Sequence, residues 1–300
     1  MTRVRNSGMS EKEYMNIAIA LNDNFMFPTR VMLHSLCRHA SRPINFILMY
    51  NDLTVTNRKI LRNLVESYDN TIRELFIEKE WFKDASLCDN PLLSIETYYR
   101  IMLPYIADEE KILWLDGDII VRSDIAALYD TDISDYYIAA SKDIGEIKNT
   151  RTELKEVLGI PQQVYFNAGI LLMNNKKIGS EIKKEAFFKA IAAYSDMLRC
   201  ADQDILNIML GGNCRMLSND FNYQLHCDNS DLDDDVKIIH YIWKKPWNAD
   251  YPVYLDEPFW NEAVSCGFGK EYKKYKRQRK MNFYKNELIP AAMSKIKRKK

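Results

Sequence analysis

Leu113-Trp-Leu-Asp-Gly-Asp-Ile-Ile-Val121 decides the reading of this 300-residue chain. Residues 112–115 are a short, continuous apolar run that ends near a glycine, the pattern of a strand buried on both faces. The run leads into two carboxylates one residue apart, Asp116 and Asp118, and a second apolar run, 119–121, follows. Carboxylates at the end of a buried strand are costly to desolvate unless something positive stands beside them. In an open α/β sheet, ligands collect at the carboxyl ends of the strands. A hard divalent cation that shares its oxygen ligands with a phosphate meets that need. Asp-Gly is also a common turn pair, so a surface turn is the competing reading. Apolar runs on both sides argue against a solvated hairpin tip.

Towards the N-terminus, residues 16–21 predict a first strand ending in Asn22-Asp23-Asn24. A helix is expected over 25–39, a strand over 44–50, a helix over 54–68 with Thr54 as cap, and a strand over 71–77. Strand-helix alternation of this kind implies a parallel sheet. Residues 94–103 predict a helix capped by Ser94 and carrying Arg100. Beyond the Asp-Gly-Asp turn, a short helix around 125–129 and strands over 137–140, 166–174 and 237–242 are expected, with helices over 182–198 and from Asp202. Residues 1–14 form a polar lead expected to be disordered, 15–265 one α/β domain, and 266–300 a basic amphipathic tail.

No apolar run reaches transmembrane length, and the first residues carry no apolar signal core. The six cysteines are widely spaced, with no Cys-x-x-Cys pair, so reduced thiols in a cytoplasmic protein are expected. Overall charge balance conceals an asymmetry. Residues 270–300 hold 13 lysines and arginines against Glu271 and Glu287, a net +11, which leaves −11 on residues 1–269. A basic tail on an acidic body points to an anionic partner, a membrane surface or nucleic acid.

Six stretches, taken in order, resemble glycosyltransferase family 8. They are Ala18-Ile-Ala-Leu-Asn-Asp-Asn24, Ser94-Ile-Glu-Thr-Tyr-Tyr-Arg100, Leu115-Asp-Gly-Asp118, Phe166-Asn-Ala-Gly-Ile-Leu-Leu-Met173, Asp202-Gln-Asp-Ile-Leu-Asn207, and Ile239-His-Tyr241 with Lys245-Pro-Trp247. The family comprises retaining sugar-nucleotide transferases, among them bacterial galactosyl- and glucosyltransferases and glycogenin-like enzymes. The resemblance implies a single GT-A, Rossmann-like nucleotide-sugar-binding domain with a mixed, mainly parallel sheet. It implies that Asp116, Asp118 and His240 hold Mn²⁺ or Mg²⁺, the imidazole favouring Mn²⁺. It places Asn22 and Asn24 near uracil and ribose, Arg100 at the diphosphate or sugar hydroxyls, and Lys245 at the diphosphate. Asp143, Asn167, Asp202 and Gln203 would line the sugar, with Gln203 beneath the anomeric carbon and Asp202 beside it. Without the resemblance, His240 reads as a core or surface histidine, Asn22 and Asn24 as an Asx turn, Asn167 as a strand end and Asp202 as a helix cap. Arg100 then reads as a surface salt bridge and Lys245 as a solvated loop lysine.

Two features depart from the family pattern. Asn22 stands where relatives often carry Asp, and an amide both donates and accepts. Trp243 stands near the place of a glycine in His240-Tyr-Ile-Trp-Lys-Lys-Pro-Trp247, so Lys244 or Lys245 would take over contacts to phosphate.

The implied activity is transfer of a hexosyl group from a UDP-sugar to a saccharide or lipid-linked saccharide. Two other classes compete: a haloacid-dehalogenase-type phosphatase, which opens its domain with Asp-x-Asp, and a non-catalytic sugar-nucleotide-binding protein. In the tail, Lys270 to Lys280 interleaves basic residues with Tyr272 and Tyr275. Phe283, Tyr284, Leu288, Ile289, Met293 and Ile296 could share one apolar face, bent at Pro290. Such a tail suits peripheral attachment to an anionic membrane at the inner face of the plasma membrane, and no nucleic acid is expected.

Overall fold

Side chains along the central strands alternate between two apolar cores, and that alternation builds a seven-stranded sheet. The structure is a computed structural model that describes residues 14–90, 93–160, 164–225, 232–250, 255–283 and 285. Its strands are β1 (Met15–Ala20), β2 (Ile44–Tyr50), β3 (Thr71–Phe76), β4 (Lys111–Leu115), β5 (Ile119–Val121), β6 (Ile138–Ala140), β7 (Ile170–Asn174), β8 (Cys214–Met216), β9 (Tyr223–Gln224) and β10 (Ile238–His240). The large sheet has the order β3-β2-β1-β4-β7-β6-β8. Strands β3, β2, β1 and β4 run parallel, β7 is antiparallel to β4 and β6, and β8 is parallel to β6. This is the mixed, mainly parallel sheet of the GT-A expectation.

Ile17, Ile19, Leu113 and Leu115 face one core, which the Met26–His39 and Val55–Glu66 helices complete. Ala18, Ile112 and Trp114 face the other, which includes residues of the Lys184–Tyr194 and Asp202–Leu210 helices. The order reverses between β1 and β4, so a crevice opens beyond their carboxyl ends. Asn22 and the Asp116–Asp118 turn follow those two ends directly.

A second sheet, β5-β10-β9, starts where the first turns away at Gly117. Strands β4 and β5 therefore belong to different sheets, which disposes of the hairpin reading. Strand β10 runs antiparallel to β5 with His240 opposite Ile119, and the Tyr241 N–H donates to the Asp118 carbonyl at 3.0 Å. A ladder between residues 119–121 and 238–240 thus carries His240 to Asp118.

Three local expectations change. Residues 95–102 are 3₁₀ rather than α, and Ser94 makes no side-chain cap bond. Pro104 has no N–H to close an α-turn on Arg100, whose carbonyl takes the Leu103 N–H instead. Strand β7 begins at Ile170, not 166; Phe166 makes an isolated bridge to Lys142, and residues 167–169 leave the ladder. The helix expected over 182–198 is Lys184–Tyr194.

The Gly269–Phe283 helix extends past residue 265 and packs on the Glu257–Ser265 helix. Tyr272 stacks on Trp260 at 5.2 Å, Tyr275 lies 4.6 Å from the same ring, and the Tyr275 hydroxyl donates to Asp256 at 2.6 Å. Both tyrosines, expected to interleave with the basic residues at a membrane, are thus held within a third core. Residues 1–13 of the expected lead and residues 284 and 286–300 of the tail lie outside the described residues. Among the described residues, Cys37, Cys88, Cys200, Cys214 and Cys266 are free thiols, and no helix is long and apolar enough to cross a membrane. Cys227 lies outside the described residues.

Candidate active site

A cavity of about 570 Å³ lies at the carboxyl ends of β1 and β4. Asn22, Arg100, Asp116, Asp118, Asp143, Asn167, Asp202, Gln203, His240 and Lys245 all line it. Of the expected site residues only Asn24 does not: it is exposed, and its backbone N–H donates to Asn22 Oδ1 at 3.0 Å. That turn is the Asx alternative, and it leaves Asn22 alone at the cavity, with Nδ2 donating to Glu96 at 3.1 Å.

Charge in the cavity is dense and mostly paired. Trp114 Nε1 donates to Asp116 Oδ1 at 2.7 Å, and Arg100 Nη1 lies 3.3 Å from the same oxygen. Arg100, 3% exposed, is drawn inward by the Ala168 carbonyl, and its Nη2 donates to Thr97 Oγ1 at 2.7 Å. Its Nε lies 2.8 Å from Asp202 Oδ2, a contact of charge only, since the Nε–H is directed at the Thr97 carbonyl. Thr97 Oγ1 in turn donates to Asp202 Oδ1. The guanidinium thus ties Asp116 to Asp202 at the wall of the cavity. Burial pushes the Asp202 carboxyl up to about 6 against the pull of Arg100. Burial also raises Asp116, with Arg100 opposing and Asp118 reinforcing. Burial alone would raise Asp118 as well, but the Lys245 ammonium beside it holds it well below the carboxylate range.

Gln203 opens a helix with its amide pinned at both ends. Its Oε1 accepts from the Ala168 N–H at 3.0 Å and from Asn167 Nδ2 at 3.3 Å. Its Nε2 donates to Asp143 Oδ2 at 3.1 Å and lies 3.3 Å from the Tyr165 hydroxyl. Asp143 also accepts from Asn167 Nδ2 and Gly145 N–H and pairs with Arg151 at 3.1 Å. Asp204, the second acid of Asp-Gln-Asp, is structural: it is fully buried and accepts from the Tyr165 hydroxyl and the N–H groups of Arg199 and Cys200.

Asp116, Asp118 and His240 each offer one ligand atom within 4.8 Å of the others, the one such group among the described residues. The hydrogen bonds around His240 test whether it suits a cation. Asn167 Oδ1 accepts from the Gly169 backbone N–H at 3.0 Å, which identifies it as an oxygen. The Asn222 atom 3.0 Å from it must then be the amide nitrogen, and the Asn222 atom 2.9 Å from His240 Nδ1 the oxygen. In the neutral form of the ring Nδ1 therefore carries the proton, and Nε2 presents a lone pair. Nε2 lies 3.4 Å from Asp118 Oδ1, a buried oxygen without a hydrogen-bond donor. Two acceptors set against each other fit a shared metal ion, and an outer amide that fixes a histidine tautomer is common around metal ligands. Gly169 makes room for the ring: a Cβ there would lie 2.2 Å from His240 Cε1.

Lys245 folds back onto Asp118, with Nζ 2.6 Å from Oδ2 and 2.6 Å from the Tyr241 carbonyl. Trp243 stands exposed at the cavity. Sequence reasoning missed Asn222 and Thr97. Asn222 has no motif around it, and its role exists only through Asn167 and His240.

The sequence profile of glycosyl transferase family 8 matches residues 16–250. Glycosyltransferase GlyF of Streptococcus pneumoniae serotype 4 is 26% identical over 82% of this chain and 60% of its own length. Lipopolysaccharide 1,3-galactosyltransferase of Salmonella typhimurium is 30% identical over 81% of this chain and 77% of its own length. The crystal structure of galactosyltransferase LgtC with donor and acceptor sugar analogues superposes with a TM-score of 0.73 at 28% identity, covering 84% of this chain and 96% of that one. The chain spans 60% and 63% of the length of the pneumococcal GlyF and of a putative glycosyltransferase of Haemophilus influenzae. Matched over most of its sequence and sharing the GT-A architecture, the chain belongs to glycosyl transferase family 8.

Proposed function

We propose that the protein is a retaining hexosyltransferase that moves a galactosyl or glucosyl group from a UDP-sugar to a saccharide hydroxyl. One observation carries the reading: the apposed acceptors of His240 and Asp118 share a cavity with the pinned Gln203 amide. The Salmonella relative's name supports a galactosyl donor in cell-surface or lipid-linked saccharide synthesis. Asp116, Asp118 and His240 would hold Mn²⁺ or Mg²⁺, which when bound supplies charge neutralisation to the diphosphate leaving group. Lys245 binds the diphosphate, and Asn22 orients the uridine. Asp143, Asn167 and Asp202 position the sugar hydroxyls, and Arg100 keeps Asp116 and Asp202 in place. Gln203 Oε1 already accepts two hydrogen bonds, which withdraws electron density from it. That favours stabilisation of a positive anomeric centre over covalent attack. The acceptor then enters on the face the UDP leaves, and the departing phosphate takes its proton. A phosphatase of the haloacid-dehalogenase type finds no support, because Asp116 follows the fourth strand, beside Trp114 and Arg100. A non-catalytic binder would bind UDP without turning over a donor sugar, so a turnover assay tells the two apart. Proton NMR of the product is expected to show an α-anomeric signal; a β-linked product overturns the reading.

For the tail we propose peripheral attachment to anionic membranes from the cytoplasmic side. The Gly269–Phe283 helix carries seven lysines and arginines against Glu271, all exposed, while its tyrosines anchor it to the domain. Lys273→Gln, Lys274→Gln and Arg277→Gln together are expected to reduce sedimentation with anionic vesicles, at roughly 1 kcal/mol per basic residue. Equal sedimentation of variant and parent refutes this.

A further inference from the structure

We propose that Lys245 couples metal binding to nucleotide binding, by competing with the divalent ion for Asp118 until a diphosphate draws it away. The inference rests on the metal reading above. Asp118 divides its two oxygens: Oδ1 faces His240 Nε2 without a donor, and Oδ2 holds the Lys245 ammonium at 2.6 Å. Side-chain exposure is 12% at Lys245 and 13% at Asp118, so water screens the pair little. A divalent ion on Oδ1 and an ammonium on Oδ2 of one carboxylate repel each other across a few ångströms. Nζ makes no ion pair with any other acid among the described residues. Its second contact is the neutral Tyr241 carbonyl, at 2.6 Å.

The ammonium therefore weakens the ion's hold in the absence of nucleotide. A diphosphate reverses the sign. It supplies the negative charge that Lys245 can follow, while its oxygens complete the ion's ligand shell. Metal and UDP then raise each other's affinity by the same factor, as linkage requires. The short chain segment brings this about, because Lys245 reaches back onto Asp118 from only five residues beyond His240. The consequence is ordered loading: the ion is held firmly only together with the nucleotide.

The test is titration of the intact protein with Mn²⁺, followed by the electron paramagnetic resonance of free Mn²⁺, with and without UDP. Lys245→Gln keeps a donor for the Tyr241 carbonyl but removes the charge, and Lys245→Met keeps the stem. Both are expected to bind Mn²⁺ without UDP about tenfold more tightly than the parent, by the Coulomb repulsion removed. Both are also expected to show a smaller UDP-induced gain in Mn²⁺ affinity. Lys245→Arg, which keeps the charge, should resemble the parent, and melting curves report folding. If both neutral variants bind Mn²⁺ without UDP no more tightly than the parent, the coupling idea is wrong. Asp118→Asn separates the two readings: if it binds Mn²⁺ with UDP as the parent does, the metal assignment itself fails.

Discussion

Asp118 and Glu262 are both carboxylates with little exposure, at 13% and 7% of the side chain, and each faces a histidine. At Glu262 the pairing is complete. His34 Nδ1 lies 2.5 Å from Oε1, and Arg38 donates to Oε2 at 2.9 Å. These bonds join the Met26–His39 helix to the Glu257–Ser265 helix. At Asp118 the histidine proton points away, to Asn222, and Oδ1 has no donor. A carboxylate beside a histidine holds the fold together in one place and leaves a demand for a cation in the other. What separates them is which ring nitrogen faces the carboxylate: Nδ1 with its proton at Glu262, Nε2 at Asp118, where Asn222 holds the Nδ1 proton.

The widest break in this contrast comes from Asp118→Asn. The new amide can donate to His240 Nε2 and accept from Lys245, which turns the site into a satisfied one like that of Glu262. Metal-dependent UDP binding is expected to vanish while the melting temperature holds or rises. Calorimetry with and without Mn²⁺, beside a thermal melt, measures both; a large fall in melting temperature contradicts the assignment of unmet acceptors.

Asn222 is the next lever. Asn222→Ala frees the imidazole to change tautomer, and Mn²⁺ affinity in the presence of UDP should fall by about 10–100-fold. Asn222→Asp keeps an acceptor for the Nδ1 proton and should recover part of the loss. A purely structural role would show instead as equal losses in both variants.

Glu262→Gln applies the amide swap of Asp118→Asn with the opposite expected sign. An amide nitrogen cannot accept from His34 or Arg38, so one donor loses its partner at a cost of about 1–3 kcal/mol. Urea unfolding should register that cost while UDP binding stays unchanged.

The smallest effect is its pH dependence. Burial works against the Glu262 charge, but His34 and Arg38 more than offset it and hold the carboxyl below its ordinary value of 4.5. A depressed folded value means the stabilisation is fully present above the unfolded pKa and is lost as pH falls through the folded one. The stability gap between parent and Glu262→Gln should therefore be level at neutral pH and close as the solution is acidified below about pH 4. A gap that persists at low pH would falsify the charge-based account.

Much of this was legible in the chain. Strands β1, β2, β3 and β4 announced themselves by apolar runs, and the two carboxylates after β4 by their position. Short-range geometry was less so. The Ile95–Met102 segment is 3₁₀ and closes on the Arg100 carbonyl through Leu103, since Pro104 lacks a donor, and residues 167–169 left their strand to serve Asn167 and Gly169. Tyr272 and Tyr275 looked like membrane aromatics among lysines, yet Trp260, twelve residues before the first of them, takes both.

By itself the sequence determined the layered α/β plan, the family, the acidic turn and the opposition of an acidic body to a basic tail. These depend on periodicity, residue type and order, which are local properties of a chain. Only the tertiary structure decided that β5 pairs with β10 and so sets His240 against Asp118. It alone decided that Asn222 fixes the imidazole proton and that Lys245 rests on the carboxylate a metal would use. The physical reason is range. A hydrogen bond senses a few tenths of an ångström between residues more than a hundred positions apart, and only the closed fold specifies that distance.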